Sequence, residues 1–219
     1  MTLREQSIPI LPVTGRDFND VGNILKTNDI TGLGVFSGGA TIINIASGEH
    51  CFESHIEINL SRQVISEAKK FAEFIGYGLG RIAISALDVK NIINAPLSVW
   101  IEFPAKQQSA ADELTDKFPE LSFHSSVYQD SSSIGLHVTP YGINKKTSAL
   151  RMLMMLHIDP DKTVTIGDEM NDAPLFEVSP VSIAMGNAPD TLKKLATHIA
   201  PNIEDNGFEQ AIFNFILKN

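Results

Sequence analysis

Cysteine is all but missing from this 219-residue chain. Cys51 stands alone, so no disulfide can form within the chain, and a reducing cytoplasm is the expected compartment. Positive charge is also scarce: 17 Lys and Arg stand against 26 Asp and Glu, a formal net charge of −9. That balance argues against nucleic acid, whose phosphates are held by clustered basic side chains. It leaves room for a small phosphorylated ligand, which a cation and one or two local basic groups can hold. No apolar run approaches bilayer length, and Met1-Thr2-Leu3-Arg4 starts no signal peptide, so no membrane partner is expected. "GLGVFSGGA" lacks the spacing of a dinucleotide fingerprint, and no Gly-Lys-Ser/Thr phosphate loop occurs. The six histidines show no metal-ligand spacing and read as core or surface residues.

What is present suits a globular chain with a sizeable core: 43% hydrophobic residues, 20% charged, mean hydropathy +0.02. "IPILPVTGR" reads as a buried strand, "DFNDVGNILKT" as a helix with Phe18, Val21 and Leu25 on one face, and "GLGVFSGGATIIN" as a strand region broken at Gly38-Gly39. This α/β alternation predicts a parallel sheet. The middle differs. "SRQVISEAKKFAEFIG" predicts an amphipathic helix capped by Ser61 and ended by Gly76. "LSVWIEFP", "LSFHSSVY" and "IGLHVTP" predict strands, "SAADELTDKFPE" a helix, and "QDSSS" at 129–133 a turn. From Pro140 the α/β alternation resumes through "KKTSALRMLMMLHI", "KTVTIGD", "NDAPLFEVS", "VSIAMGN", "DTLKKLATHI" and "GFEQAIFNFIL". The simplest architecture is one α/β core built from residues 1–54 and 136–219, with an α+β insert over residues 55–135.

In "TVTIGDEMND", Asp168 ends an apolar strand and Asp172 returns to the same mouth, with Gly167 permitting a sharp turn. Two carboxylates so close repel unless a cation lies between them or one is protonated. Hard oxygen ligands at an open loop suit Mg²⁺. Equally, acids are favoured at any helix start. Thr14 in "PVTGR" ends another strand, where its hydroxyl and the following amides could hold a phosphate oxygen. Lys145 or Lys146 in "PYGINKKTSAL" enters a helix at the same edge, where a lysine could neutralise a phosphoryl group; most lysines are simply solvated.

Together "PILPVTGR", "PYGINKKTSAL", "VTIGDEMNDAPLF" and "VSIAMGNA" resemble the second, third and fourth motifs of the haloacid dehalogenase (HAD) superfamily of phosphohydrolases. The likeness is to the branch with a large α+β cap, and it runs the length of the chain. It implies a Rossmann-like core with an inserted cap, and activity on small phosphorylated metabolites such as sugar phosphates. It also implies Mg²⁺ bound directly by Asp168 and supported by Asp172, with Thr14, Lys145 and Asn171 at the phosphoryl group. The spacing to Asp168 favours Lys145 over Lys146.

Two departures from that family pattern matter. The family's nucleophile lies in an Asp-x-Asp motif after the first, central strand, and no such motif follows a strand here. "MTLREQSIPIL" looks like the tail of the helix after that strand, so a truncated phosphatase with activity near background is expected. The alternative is a non-catalytic phosphate-ligand binder or self-associating protein. A missing central strand exposes two edges, which re-pairing or self-association would cover. The second departure is "FSGGA" where the family has Asn-Gly-Ala; Gly38 removes a polar side chain near the phosphate mouth.

Overall fold

The computed structural model describes residues 3, 5–77, 81–83, 88–127 and 132–217. The chain is a mixed α/β protein. Its opening segment is a strand only at its end: Val13 forms a single parallel bridge to Val35, while Ile8 and Ile10 are 37% and 40% exposed. Helix α1 (Phe18–Thr27) packs Phe18, Val21 and Leu25 on Phe36, Ile43 and Ile45.

Strands β1 (Leu33–Phe36), β2 (Thr41–Asn44) and β3 (Glu49–Glu53) form an antiparallel meander, where α/β alternation had suggested a parallel sheet. The reason is the connection. Ser37–Gly39 is one tight 3-10 turn, far too short for the crossover that a parallel pair needs.

The insert begins with α2 (Ile58–Ala68), which starts and ends earlier than its apolar spacing suggests. Glu57 is the cap, accepting from the Leu60 amide at 2.9 Å. Ser61 lies buried one turn inside, its hydroxyl turned back to the Ile58 carbonyl. Gly76 belongs to a strand, β4 (Phe74–Gly76), because pairing with the central strand β6 (Val99–Pro104) outcompetes the helix. With β5 (Arg81–Ala83), β7 (Leu121–Val127) and β8 (Ser133–Pro140), these make an antiparallel sheet in the order β5-β4-β6-β8-β7. Since β8 runs to Pro140, a division at residue 135 falls within it. Residues 129–131 of the expected turn lie outside the described residues.

Alternation gives this sheet two unlike faces. Ile75, Val99, Ile101, Phe103, Leu136 and Val138 form a dry core with α2 and α3 (Gln108–Lys117). The other face carries Ser98, Trp100, Glu102, Gly135, His137 and Ser126, and it is this face that meets the core domain.

The chain returns through α4 (Lys145–Met155), β9 (Val164–Gly167), a 3-10 turn (Met170–Glu177), β10 (Val181–Ala184), α5 (Asp190–Lys193), β11 (His198–Ile199) and α6 (Gly207–Ile212). The expected helix over "DTLKKLATHI" thus splits into a single turn and a strand. β9, β10 and β11 are parallel. β9 is an edge strand among the described residues and does not pair with residues 11–14. Direct pairing of these two segments, one of the two outcomes expected, is therefore not seen among the described residues. Helix α4 ties the halves together instead: Ala149 and Leu153 touch Leu175 and Val178 on one side and Leu11 and Val13 on the other.

Candidate active site

The three strand-end or helix-start segments singled out in the sequence converge. Thr14, Lys145, Asp168, Asn171 and Asp172 all line one cavity of about 700 Å³ between the core and the polar face of the insert. Each is positioned by local chemistry. The Thr14 hydroxyl accepts from the Arg16 amide at 3.1 Å, fixing the turn after the Val13 bridge. Asn144 caps α4, its side chain accepting from the Thr147 amide at 2.9 Å while the Thr147 hydroxyl accepts from the Asn144 amide at 3.1 Å. That reciprocal cap sets Lys145 at the first helical position. Gly39, at φ +111°, lets the second turn press on α4, where an added Cβ would stand 2.5 Å from the Asn144 carbonyl oxygen.

The two candidate lysines part company here. Lys145 points inward, its Nζ donating to Asn171 Oδ1 and Asp172 Oδ1, each at 2.5 Å, with both charged side chains about nine-tenths buried. Lys146, one position on and so a third of a turn round the helix, pairs with the exposed Glu177.

Asp172 is both things the sequence allowed. Its Oδ2 accepts from the Asp168 and Glu169 amides at 3.0 and 3.2 Å, as a helix-start acid does, while Oδ1 holds the lysine. Gly167 serves this packing more than a turn: its φ is ordinary, but a Cβ there would sit 2.6 Å from the Asp172 Cβ. Asp168 is left facing the cavity. Partial desolvation by the surrounding walls pushes its carboxyl above the usual range, and the neighbouring Asp172 and Glu169 push the same way. Asn187 Nδ2 lies 3.5 Å from Asp168, and Asn187 Oδ1 is a buried acceptor with no partner. A raised carboxyl beside an orphaned oxygen is a setting that a hard cation would relieve. Among the described residues no cluster of three or more His, Cys, Asp or Glu is placed to enclose a metal. Asp168 is therefore the direct candidate, and Asp172, already committed to Lys145 and two amides, the supporting one. The one Asp-x-Asp of the chain, Asp159-Pro160-Asp161, lies in the turn leading into β9, at the end away from Asp168.

Sequence reasoning missed the far wall. Trp100, Glu102, Ser98, Tyr77, Ser126 and His137 also line the cavity. Ser126 Oγ accepts from Asn171 Nδ2 at 2.5 Å, a direct bond between the insert and the core loop. His137 is buried, and desolvation, aided by the nearby His124 and Lys145, lowers its pKa to about 3. Its ring rests against Gly15 and Gly38, where added Cβ atoms would come within 3.1 and 2.9 Å of it. This accounts for the glycine at 38 in physical terms: His137 fills the space that a side chain there would need.

Comparison with known proteins decides the family. The model of the haloacid dehalogenase-like hydrolases matches residues 93–212, more than half of the chain. The chain belongs to that family. A phosphoglycolate phosphatase of Methanobrevibacter smithii is 27% identical over 128 residues, 58% of this chain and 55% of that protein. A 5-amino-6-(5-phospho-D-ribitylamino)uracil phosphatase of Bacillus subtilis is 33% identical over 89 residues, 40% and 35% of the two. The chain thus spans about half, or less, of these relatives' lengths. A solved HAD subclass IIB sugar phosphatase superposes with a TM-score of 0.78 at 14% identity, over 97% of this chain and 87% of that one, which shows a shared fold. No helix among the described residues is long and apolar enough to cross a membrane.

Proposed function

We propose that the chain carries the phosphate mouth and cap of a Mg²⁺-dependent phosphatase of small phosphorylated metabolites, sugar phosphates among them. The observation that supports this best is the meeting of Thr14, Lys145, Asn171, Asp168 and Asp172 at one cavity. In this reading Asp168 binds Mg²⁺ directly, and Asp172 orients Lys145 and the metal loop. Thr14, Lys145 and Asn171 hold the phosphoryl oxygens. When bound, the cation would supply charge neutralisation at the phosphoryl group. The cap excludes water and selects the substrate.

Nucleophilic catalysis requires an activated attacking group, and these residues place no Asp-x-Asp at a strand end beside Thr14. We therefore propose that this polypeptide binds phosphorylated ligands with hydrolysis near background, and that self-association covers the open edge of β9. Calorimetry should show Mg²⁺-dependent binding of inorganic phosphate that Asp168→Ala removes. Robust turnover of sugar phosphates abolished by Asp168→Ala would overturn the inactive reading, and a strictly monomeric protein in analytical ultracentrifugation the self-association.

A further inference from the structure

The motif "VSIAMGNA" carries Asn187 to the metal loop on fixed backbone. Its strand, β10, lies parallel beside β9, and the contact runs one residue further, where the Met185 amide donates to the Gly167 carbonyl at 3.0 Å. That bond brings the following loop to the end of β9 from which Asp168 leaves. The loop is pinned on both sides of Asn187. The Gly186 amide donates to the Pro201 carbonyl at 3.1 Å, and an added Cβ at Gly186 would stand 2.6 Å from the Asn202 amide nitrogen. The Ala188 amide closes a tight turn on the Met185 carbonyl at 2.9 Å, and Ala188 is buried with Phe176, Ala184 and Leu192.

The side chain held this firmly is poorly served at both ends. Its Nδ2 lies 3.5 Å from Asp168 Oδ2, beyond the roughly 2.7–3.2 Å of a well-made N–H···O bond. Its Oδ1 is buried with no donor among the described residues. Buried polar atoms nearly always find a partner, so an orphan beside a carboxylate calls for a third party. The other carboxylates of the loop are spoken for. Asp172 holds Lys145 and two amides, and Glu169 caps its own turn and accepts from Asn171 Nδ2 at 2.9 Å. A half-turn of the Asn187 amide exchanges its oxygen and nitrogen. Oδ1 would then face Asp168, an arrangement of two oxygens that repel unless a cation lies between them.

We propose that Asn187 is a further metal-ligating residue: its carboxamide turns over when Mg²⁺ binds, and Oδ1 joins Asp168 as a neutral oxygen ligand. This rests on the metal site proposed above. A carboxamide oxygen is a hard donor of the kind such cations take. Its neutrality has a consequence for phosphate. Lys145 balances Asp172, so Asp168 offsets one of the two positive charges of the cation and Asn187 offsets none. The remainder is left to attract a phosphoryl oxygen. A carboxylate at position 187 would hold the cation more tightly and cancel that remainder.

Calorimetry with Mg²⁺ alone, and then with inorganic phosphate at saturating Mg²⁺, reads both halves without requiring turnover. Asn187→Leu, close in size and unable to ligate, should weaken Mg²⁺ binding about tenfold or more. Asn187→Asp should bind Mg²⁺ more tightly than the native chain and, once loaded, bind phosphate more weakly. Circular dichroism reports the fold of each variant. In the native chain the side-chain amide signals of Asn187, assigned by NMR through their absence from Asn187→Leu, should move as Mg²⁺ is added. If those signals stay put while calorimetry shows Mg²⁺ binding, or if Asn187→Leu binds Mg²⁺ as the native chain does, the ligand role is refuted and the Asp168 site stands. If both variants lose Mg²⁺ alike, Asn187 serves only as a donor to Asp168, which also overturns it. Unchanged phosphate binding by loaded Asn187→Asp would refute the charge argument. If the native chain binds no Mg²⁺, the metal site itself fails and the role of Asn187 with it.

Discussion

Acidification from pH 7 to pH 5 should weaken this fold through His137. In the unfolded chain an imidazole takes up a proton near pH 6.5. In the folded protein His137 stays neutral until about pH 3, because it is buried beside Trp100, Gly15 and Gly38. Its folded pKa lies below the unfolded one, so the stability it supports is complete above pH 6.5 and is lost as pH falls toward 3. Each pH unit inside that window costs about 1.4 kcal/mol, so at pH 5 the loss from His137 alone is about 2 kcal/mol. Against typical domain stabilities of about 5–15 kcal/mol, that is a large share. His124, its cross-strand neighbour, has a pKa lowered chiefly by burial and adds to the loss in the same direction. Asp168, whose carboxyl is raised, works the other way, since protonation relieves its desolvation as pH falls. The test is urea denaturation at pH 7 and pH 5 for the native sequence and for His137→Gln. The variant removes the His137 contribution and its repulsion of a charged His124, so it should lose at least about 2 kcal/mol less over the interval, whatever its stability at pH 7. Equal losses in the two proteins would refute the account of His137 as an enclosed neutral ring.

Two further outcomes follow from packing around the mouth. Lys145→Met leaves the Asp172 carboxylate nine-tenths buried with its ion-pair partner gone, and should destabilise by about 3–5 kcal/mol; adding Asp172→Asn should recover most of that in the same denaturation assay. Gly142→Ala, at φ +75° in open space, should cost about 1–2 kcal/mol for the left-handed backbone alone. Gly39→Ala should cost clearly more, since it meets the Asn144 carbonyl as well, and thermal unfolding of the pair separates the two contributions.

The parts of this molecule that were legible in the sequence are those whose cause is local. "VTIGD" is an apolar run ended by glycine and acid, so a strand ending at Asp168 follows from a few residues. The α4 start follows from Asn144 and Thr147, a cap that reads within four positions. The choice between Lys145 and Lys146 was only favoured by spacing to a distant motif; it turned on a third of a helical turn relative to Asp172, 27 positions away. The direction of β1, β2 and β3 is not legible in apolar alternation, which marks strands but not how they pair; the short Ser37–Gly39 turn holds that information. Likewise "FAEFIG" continues the helical spacing of α2 and still becomes β4, since its partner β6 lies some 25 residues on. The cap wall was hidden for the same reason. In "LSVWIEFP" and "IGLHVTP" the period of two says that Trp100 shares a face with Glu102, and His137 with Gly135. It does not say which face is wet or what lies across it. Only the β6–β8 register brings Trp100 beside His137 and over Gly135, and only the packing of the insert on the core turns that row toward Thr14 and Lys145. Thr14, Lys145 and Asp168 come with local signatures, because backbone turns and caps place them. Trp100, Glu102 and His137 are brought to the cavity by strand pairing, so they surface only once the sheet is assembled.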